Sequence, residues 1–98
     1  MPKYLLSKNA KEDLIRIHQY GTKRFGESQA DKYFNEFFIC FELIAKKPGS
    51  FESVYYIRTG YRKCVCGVDT IFFRVIEDQV QIMAIVGRQD IEELKNSW

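Results

Sequence analysis

The stretch SQADKYFNEFFICFELIAKKPGS, residues 28–50, decides the fold. Ala30, Phe34, Phe37, Phe41 and Ile44 recur at intervals of four, three, four and three. That spacing places one apolar stripe along a helix. A second line, Tyr33, Phe37, Cys40 and Ile44, widens it. A helix this aromatic is expected to face a sheet along most of its length. Ser28 reads as its cap, and Asp31 in the first turn suits the positive end of the dipole. Lys46 and Lys47 suit the negative end. Pro48-Gly49-Ser50 then breaks the chain.

Reading toward the N-terminus, Tyr4-Leu5-Leu6 is a short strand and Ser7 an N-cap, whose hydroxyl can accept from a backbone N–H left unpaired by a starting helix. Ala10, Leu14, Ile17 and Phe25 give the next helix, Lys8 to Phe25, one buried stripe. Gly26 stops it, because glycine takes positive φ without a Cβ clash.

Reading toward the C-terminus, the period changes to two. Val54 to Arg58 is β-rich and Thr59-Gly60 is a turn. Tyr61 to Cys66 alternates, with Tyr61, Lys63 and Val65 on one face and Arg62, Cys64 and Cys66 on the other. Gly67-Val68-Asp69 turns again. Thr70 to Ile76 is apolar except for Arg74. After the Glu77-Asp78 turn, Val80, Ile82 and Ala84 mark one face of a strand running to Val86. Asp90 is placed to cap a last turn through Leu94. Short connections predict an antiparallel meander of three or four strands. Helices segregated before such a sheet make the class α+β.

Ninety-eight residues at 11.6 kDa predict one domain, residues 1–98. A chain of this length buries roughly 60–70% of its unfolded surface. Hydrophobic residues are 46% and charged residues 29%, which excludes a disordered chain. Fifteen Lys and Arg against thirteen Asp and Glu leave +2, too mild for bulk attraction to nucleic acid or membranes. No apolar run approaches the ~20 residues of a membrane span, and the N-terminus has no signal-peptide core. The expectation is a cytoplasmic protein with reduced thiols at Cys40, Cys64 and Cys66.

A Ser/His/Asp or Cys/His pair needs an imidazole to take the proton. The one histidine, His18, falls on a polar helix face. No zinc-site spacing, HExxH, P-loop or GxGxxG occurs, so no metal or cofactor is expected. Glu12/Asp13 and Glu92/Glu93 are neighbours that diverge by about 100° on a helix and do not converge on a substrate. The unusual feature is arginine inside strands, at Arg58, Arg62 and Arg74, with Arg88 following the last strand. A guanidinium is not buried unpaired. With Tyr55, Tyr56 and Tyr61 in the same region, these residues predict an open, cationic sheet face that holds an anion, an acidic peptide or RNA phosphates. Tyr and Arg are types enriched at interface hot spots.

The pattern Leu6-Ser7-x-x-Ala10-x-x-Asp13-Leu14-x-x-Ile17-x-x-Tyr20 resembles the opening helix of ParE toxins, within the RelE/ParE superfamily of bacterial toxin–antitoxin systems. Phe25-Gly26-x-x-Gln29-Ala30-x-x-Tyr33 is similar to the family's interhelical turn, and Ile44-Ala45-x-x-Pro48 to the close of its second helix. Ile57-Arg58-x-Gly60-Tyr61-Arg62 and Ile71-Phe72-Phe73-Arg74-Val75 resemble its central strands. Gly87-Arg88-Gln89-Asp90-Ile91 resembles its C-terminal signature. The likeness covers about residues 3–94, with six fragments in the right order.

The resemblance implies a helical hairpin on a twisted antiparallel sheet. It implies a toxin that inhibits DNA gyrase, performs no chemistry itself and is neutralised by a ParD-like antitoxin. Promoter DNA would be bound only through the antitoxin. Arg58, Tyr61, Arg62 and Arg74 are then expected to contact the antitoxin or shape the sheet surface, with Arg88, Gln89 and Asp90 at the target-binding edge. The alternatives are a ribosome-dependent mRNA endonuclease of RelE type and a non-toxic member of an autoregulatory complex. Val86 stands where many members carry histidine, which disfavours the nuclease because RNA cleavage needs proton transfer.

Overall fold

The computed structural model describes residues 4–87. Strand β1 (Tyr4–Leu6) leads into α1 (Lys8–Phe25) and α2 (Glu27–Lys46). A 3-10 turn at Pro48–Ser50 precedes β2 (Glu52–Ser53), β3 (Tyr61–Cys66), β4 (Asp69–Ile76) and β5 (Gln79–Gly87). The class is α+β, as expected. The sheet has five strands in the order β1-β5-β4-β3-β2. Strands β2 to β5 are antiparallel, and β1 joins as a parallel neighbour of β5, with Tyr4 opposite Val80.

Local chemistry sets the boundaries. The Ser7 hydroxyl accepts from the Ala10 N–H at 3.0 Å and starts α1. Gly26, at φ +92°, ends α1 and also opens α2, where its carbonyl accepts from the Ala30 N–H at 3.1 Å. The cap expected at Ser28 is therefore wrong. One glycine separates the helices, and Ser28 lies inside the first turn of α2. Asp31 lies beyond that turn and faces His18.

The aromatic stripe is core. Phe37, Phe41 and Ile44 of α2 are fully buried against Ile71, Phe73, Ile82 and Ile85 of the sheet. Leu14 and Ile17 of α1 join them, and Phe34 is half-buried at the margin. Removing each such large side chain from water contributes about 1.5–3 kcal/mol.

Three strand expectations need correction. Val54 to Arg58 is not β. The Val54 carbonyl accepts from the N–H groups of Ile57 and Arg58 at 2.8 and 3.0 Å, winding the segment into a turn. Ala84 does not continue the face of Val80 and Ile82. Phe72 pairs with Ala84 and Phe73 with Ile82, leaving Met83 as the extra residue of a bulge. A bulge shifts the alternation, so Ile85, and not Ala84, returns to the helix side. Asp69 likewise belongs to β4, paired with Cys66, and only Gly67 and Val68 turn. Glu77 and Asp78, at φ +50° and +65°, form the next turn with the hand that suits strand twist.

The sheet face away from the helices carries a second, smaller core of Val54, Tyr61 and Phe72, with Ile57, Met83 and Val86 against it. Phe72 has no exposed surface. The winding of Val54 to Ile57 brings two apolar side chains onto that face.

Candidate functional site

The site begins with the turn after β2. The Val54 N–H donates to the Tyr61 carbonyl at 2.9 Å, and the Tyr61 N–H to the Arg58 carbonyl at 3.2 Å. Gly60, at φ +87°, supplies the left-handed residue that closes it. The turn sets the Arg58 guanidinium 5.5 Å from the centre of the Tyr61 ring, in cation–π range.

The sheet register extends the row. Tyr61 is opposite Arg74, Arg74 opposite Gln81, and Gln81 opposite Leu5. Arg74 Nε donates to Gln81 Oε1 at 2.8 Å, which holds the guanidinium along the face. Three of the four residues expected to meet the antitoxin thus share one face. Tyr61 is 5% exposed and packs into the second core, so its role there is to shape the surface and carry Arg58. Arg62 alternates to the helix side, where its Nη1 donates to the Phe51 carbonyl at 2.6 Å. It buttresses the segment before β2 and does not join the row.

Beside the row, Tyr55 and Tyr56 are 72% and 54% exposed and meet edge to face at 5.8 Å. Lys63 Nζ lies 3.8 Å from Glu52 Oε2 across β2 and β3. The single open sheet face expected from the sequence is therefore narrower. It has an apolar floor, a cationic rim at Arg58 and Arg74, and exposed tyrosines at one end. Arg88, Gln89 and Asp90 lie outside the described residues.

A second feature was not read from the sequence. The C-terminal half of α1, the start of α2 and the β3–β4 turn enclose an apolar groove of about 310 Å³, lined by Ile17, Tyr20, Phe25, Ala30, Tyr33 and Val68. Phe25 and Val68 are 65% and 75% exposed at its rim. Phe25, expected on the buried stripe of α1 with Ala10, Leu14 and Ile17, is instead exposed, because the stripe runs past the sheet at this end of the helix and Phe25 and Tyr20 line the groove.

Other polar groups are spoken for by structure. His18 Nε2 is 2.7 Å from Asp31 Oδ1, and its ring meets Phe34 edge-on, tying α1 to α2 at the surface. The Tyr33 hydroxyl donates to Asp69 Oδ2 at 2.7 Å, accepts from the Val68 N–H and lies 2.9 Å from the Cys66 carbonyl. Burial and then the Asp69 carboxylate push its ionisation far above the ordinary tyrosine value. Among the described residues, no group of three His, Cys, Asp or Glu is arranged to hold a metal ion, and no helix is long and apolar enough to cross a membrane.

Comparison with known proteins places the chain in a family. The family model described as ParE toxin of type II toxin-antitoxin system, parDE, matches residues 4–92. The chain is 40% identical over 75 residues to Toxin ParE1 of Caulobacter vibrioides, covering 76% of this chain and 78% of that one. It is 32% identical over 92 residues to Toxin ParE1 of Mycobacterium tuberculosis, covering 92% and 94%. A solved structure titled "Chromosomal ParDE TA system from P. aeruginosa" superposes with a TM-score of 0.78 at 18% identity, over 89% of this chain and 96% of that one, a likeness of fold. The chain belongs to the ParE toxin family of type II toxin–antitoxin systems.

Proposed function

We propose that this ParE toxin inhibits DNA gyrase by binding, without catalysing a reaction, and that a ParD-like antitoxin neutralises it. The observation that carries the antitoxin reading is the row Arg58, Tyr61, Arg74 and Gln81 on one sheet face. Two guanidinium groups fixed over an apolar floor suit an acidic, extended tail, because each cation is already oriented before the partner arrives. The apolar groove beside Phe25 and Val68 suits the apolar side of a partner helix. A small protein that folds on binding covers both surfaces at once.

The experiment is a calorimetric titration of the toxin with its antitoxin. Arg58→Ala combined with Arg74→Ala is expected to weaken binding by about 1–2 kcal/mol or more, the range of interface hot spots. Arg62→Ala is expected to act mainly on stability, because its guanidinium serves the Phe51 carbonyl. Unchanged affinity in the double variant would remove the sheet face from the antitoxin interface.

A further inference from the structure

The turn after β2 displays two tyrosines to solvent. Val54 is buried, and its carbonyl accepts from the Ile57 N–H at 2.8 Å, so Tyr55 and Tyr56 are the two central residues of that turn. Such positions ordinarily carry Gly, Pro, Asn, Asp or Ser. Here they carry two large aromatic rings, exposed at 72% and 54%, that meet each other edge to face. The base of the turn is tied down on both sides. The Val54 N–H donates to the Tyr61 carbonyl, and the Arg58 N–H to the Val54 carbonyl at 3.0 Å. The pair is therefore held in place before any partner arrives, which lowers the ordering cost of binding.

We infer that Tyr55 and Tyr56 anchor the toxin to its target protein, by filling an apolar pocket that has an acidic rim. The inference rests on the inhibitor reading above and adds the surface that performs it. Each phenol offers a large apolar area and a hydroxyl at small conformational cost, which is why tyrosine is enriched at interface hot spots. Arg58, set 5.5 Å from the centre of the Tyr61 ring, follows in the same turn and supplies a cation for the acidic rim.

A single-stranded nucleic acid is the poorer match. Consecutive bases of a stacked strand lie nearly parallel, whereas the two rings stand at 85° to one another, so they do not form a platform for successive bases. One edge and one face presented together suit a protein pocket instead. Arg58 also begins the row assigned to the antitoxin. A tail seated on that guanidinium shields the turn, so target and antitoxin exclude one another.

The test uses the full chain with Tyr55→Ala and Tyr56→Ala combined, beside Tyr55→Ala alone. Both variants should melt and bind the antitoxin as wild type does, because the rings are exposed. Against purified gyrase, the double variant should need about tenfold or more toxin to inhibit supercoiling equally. Inhibition at the wild-type concentration would overturn the inference and leave the gyrase reading standing. Loss of antitoxin binding in the folded double variant would also overturn it, by placing the pair in that interface. So would binding of a fluorescent single-stranded oligonucleotide that the double variant abolishes. If wild type itself leaves gyrase unaffected, the gyrase reading fails, and growth on induction decides the inference. The double variant, expressed at the wild-type level, should no longer arrest growth, and retained arrest overturns it. If the double variant does not fold, Tyr55→Ala alone should show the same losses, and full wild-type action in it is contrary.

Discussion

Asp13 Oδ2 accepts the main-chain N–H of Ile85 at 2.9 Å, across 72 residues of chain. The contact extends the edge of β5 where its neighbour runs out. Strand β1 ends at Leu6, after which the Ser7 N–H donates to the Ile82 carbonyl and the Ser7 hydroxyl to the Met83 carbonyl, each at 2.9 Å. Asp13 takes the next donor, and Arg16 Nη2 reaches the Ile85 carbonyl at 3.4 Å. Side chains of α1 thus continue the ladder of a three-residue strand. Ser7 and Asp13 thus each have a structural role at the edge of β5.

Asp13→Ala leaves a partly buried N–H on Ile85 without its acceptor and is expected to cost about 1–3 kcal/mol. Asp31→Ala removes an exposed pair with His18 and is expected to cost about 1 kcal/mol or less. Urea denaturation of the two variants measures the difference. Equal losses would show that the β5 contact contributes no more than a surface pair.

Gly67→Ala should be among the most damaging glycine substitutions. Its φ is +61°, and an added Cβ would lie 2.5 Å from the Tyr33 ring. Gly60→Ala meets only the backbone penalty, since nothing lies within 4 Å of its Cβ position. Residues forced into such backbone regions cost on the order of 1–3 kcal/mol. Gly67→Ala adds displacement of Tyr33, and with it the bond to Asp69. Melting curves should rank wild type above Gly60→Ala, and Gly60→Ala above Gly67→Ala.

Tyr33→Phe tests the buried hydroxyl by its pH dependence. At neutral pH the loss of its bonds to Asp69 and Val68 is expected to cost about 1–3 kcal/mol. Tyrosine is protonated in both states below about pH 10. Above that, the unfolded chain ionises while burial and Asp69 keep the folded phenol neutral. The unfolded state then binds fewer protons, so wild-type stability falls as pH rises. The phenylalanine variant lacks this contribution, and its gap to wild type should narrow between pH 9 and 11. A gap that widens would reverse the assigned direction.

Phe37→Ala should cost about 3–5 kcal/mol, because a fully buried aromatic ring leaves a cavity between α2 and the sheet. Phe25→Ala, at the groove rim, should leave stability nearly unchanged and weaken antitoxin binding. Chemical denaturation and calorimetric titration separate the two effects.

The helices were legible because their ends and stripes are local. Ser7, Gly26 and the Phe37–Phe41–Ile44 stripe each state a backbone or packing need within a few residues. Glu77 and Asp78 were legible for the same reason. Val54 to Arg58 misled because β-branched and aromatic residues report only that a segment will pack against something. What it packs on is Phe72, and its hydrogen bonds return to Val54 itself. The Met83 bulge has no local signal. The sheet site was half legible. Strand alternation already set Arg62 opposite Tyr61, yet grouping the arginines by type placed all of them on one surface. The partnership of Arg74 with Gln81 depends on register between strands, which a single sequence does not state. The groove needs both helices and the β3–β4 turn together, so no local pattern contains it.

Plasmid supercoiling by purified gyrase, with the full chain added alone and then with its antitoxin, tests the inhibitor reading most directly. The predicted result is loss of supercoiling with accumulation of linear plasmid, reversed when the antitoxin is present. Undiminished supercoiling at micromolar toxin, from a chain that binds its antitoxin and still arrests growth, would contradict it and direct attention to cleavage of translated mRNA.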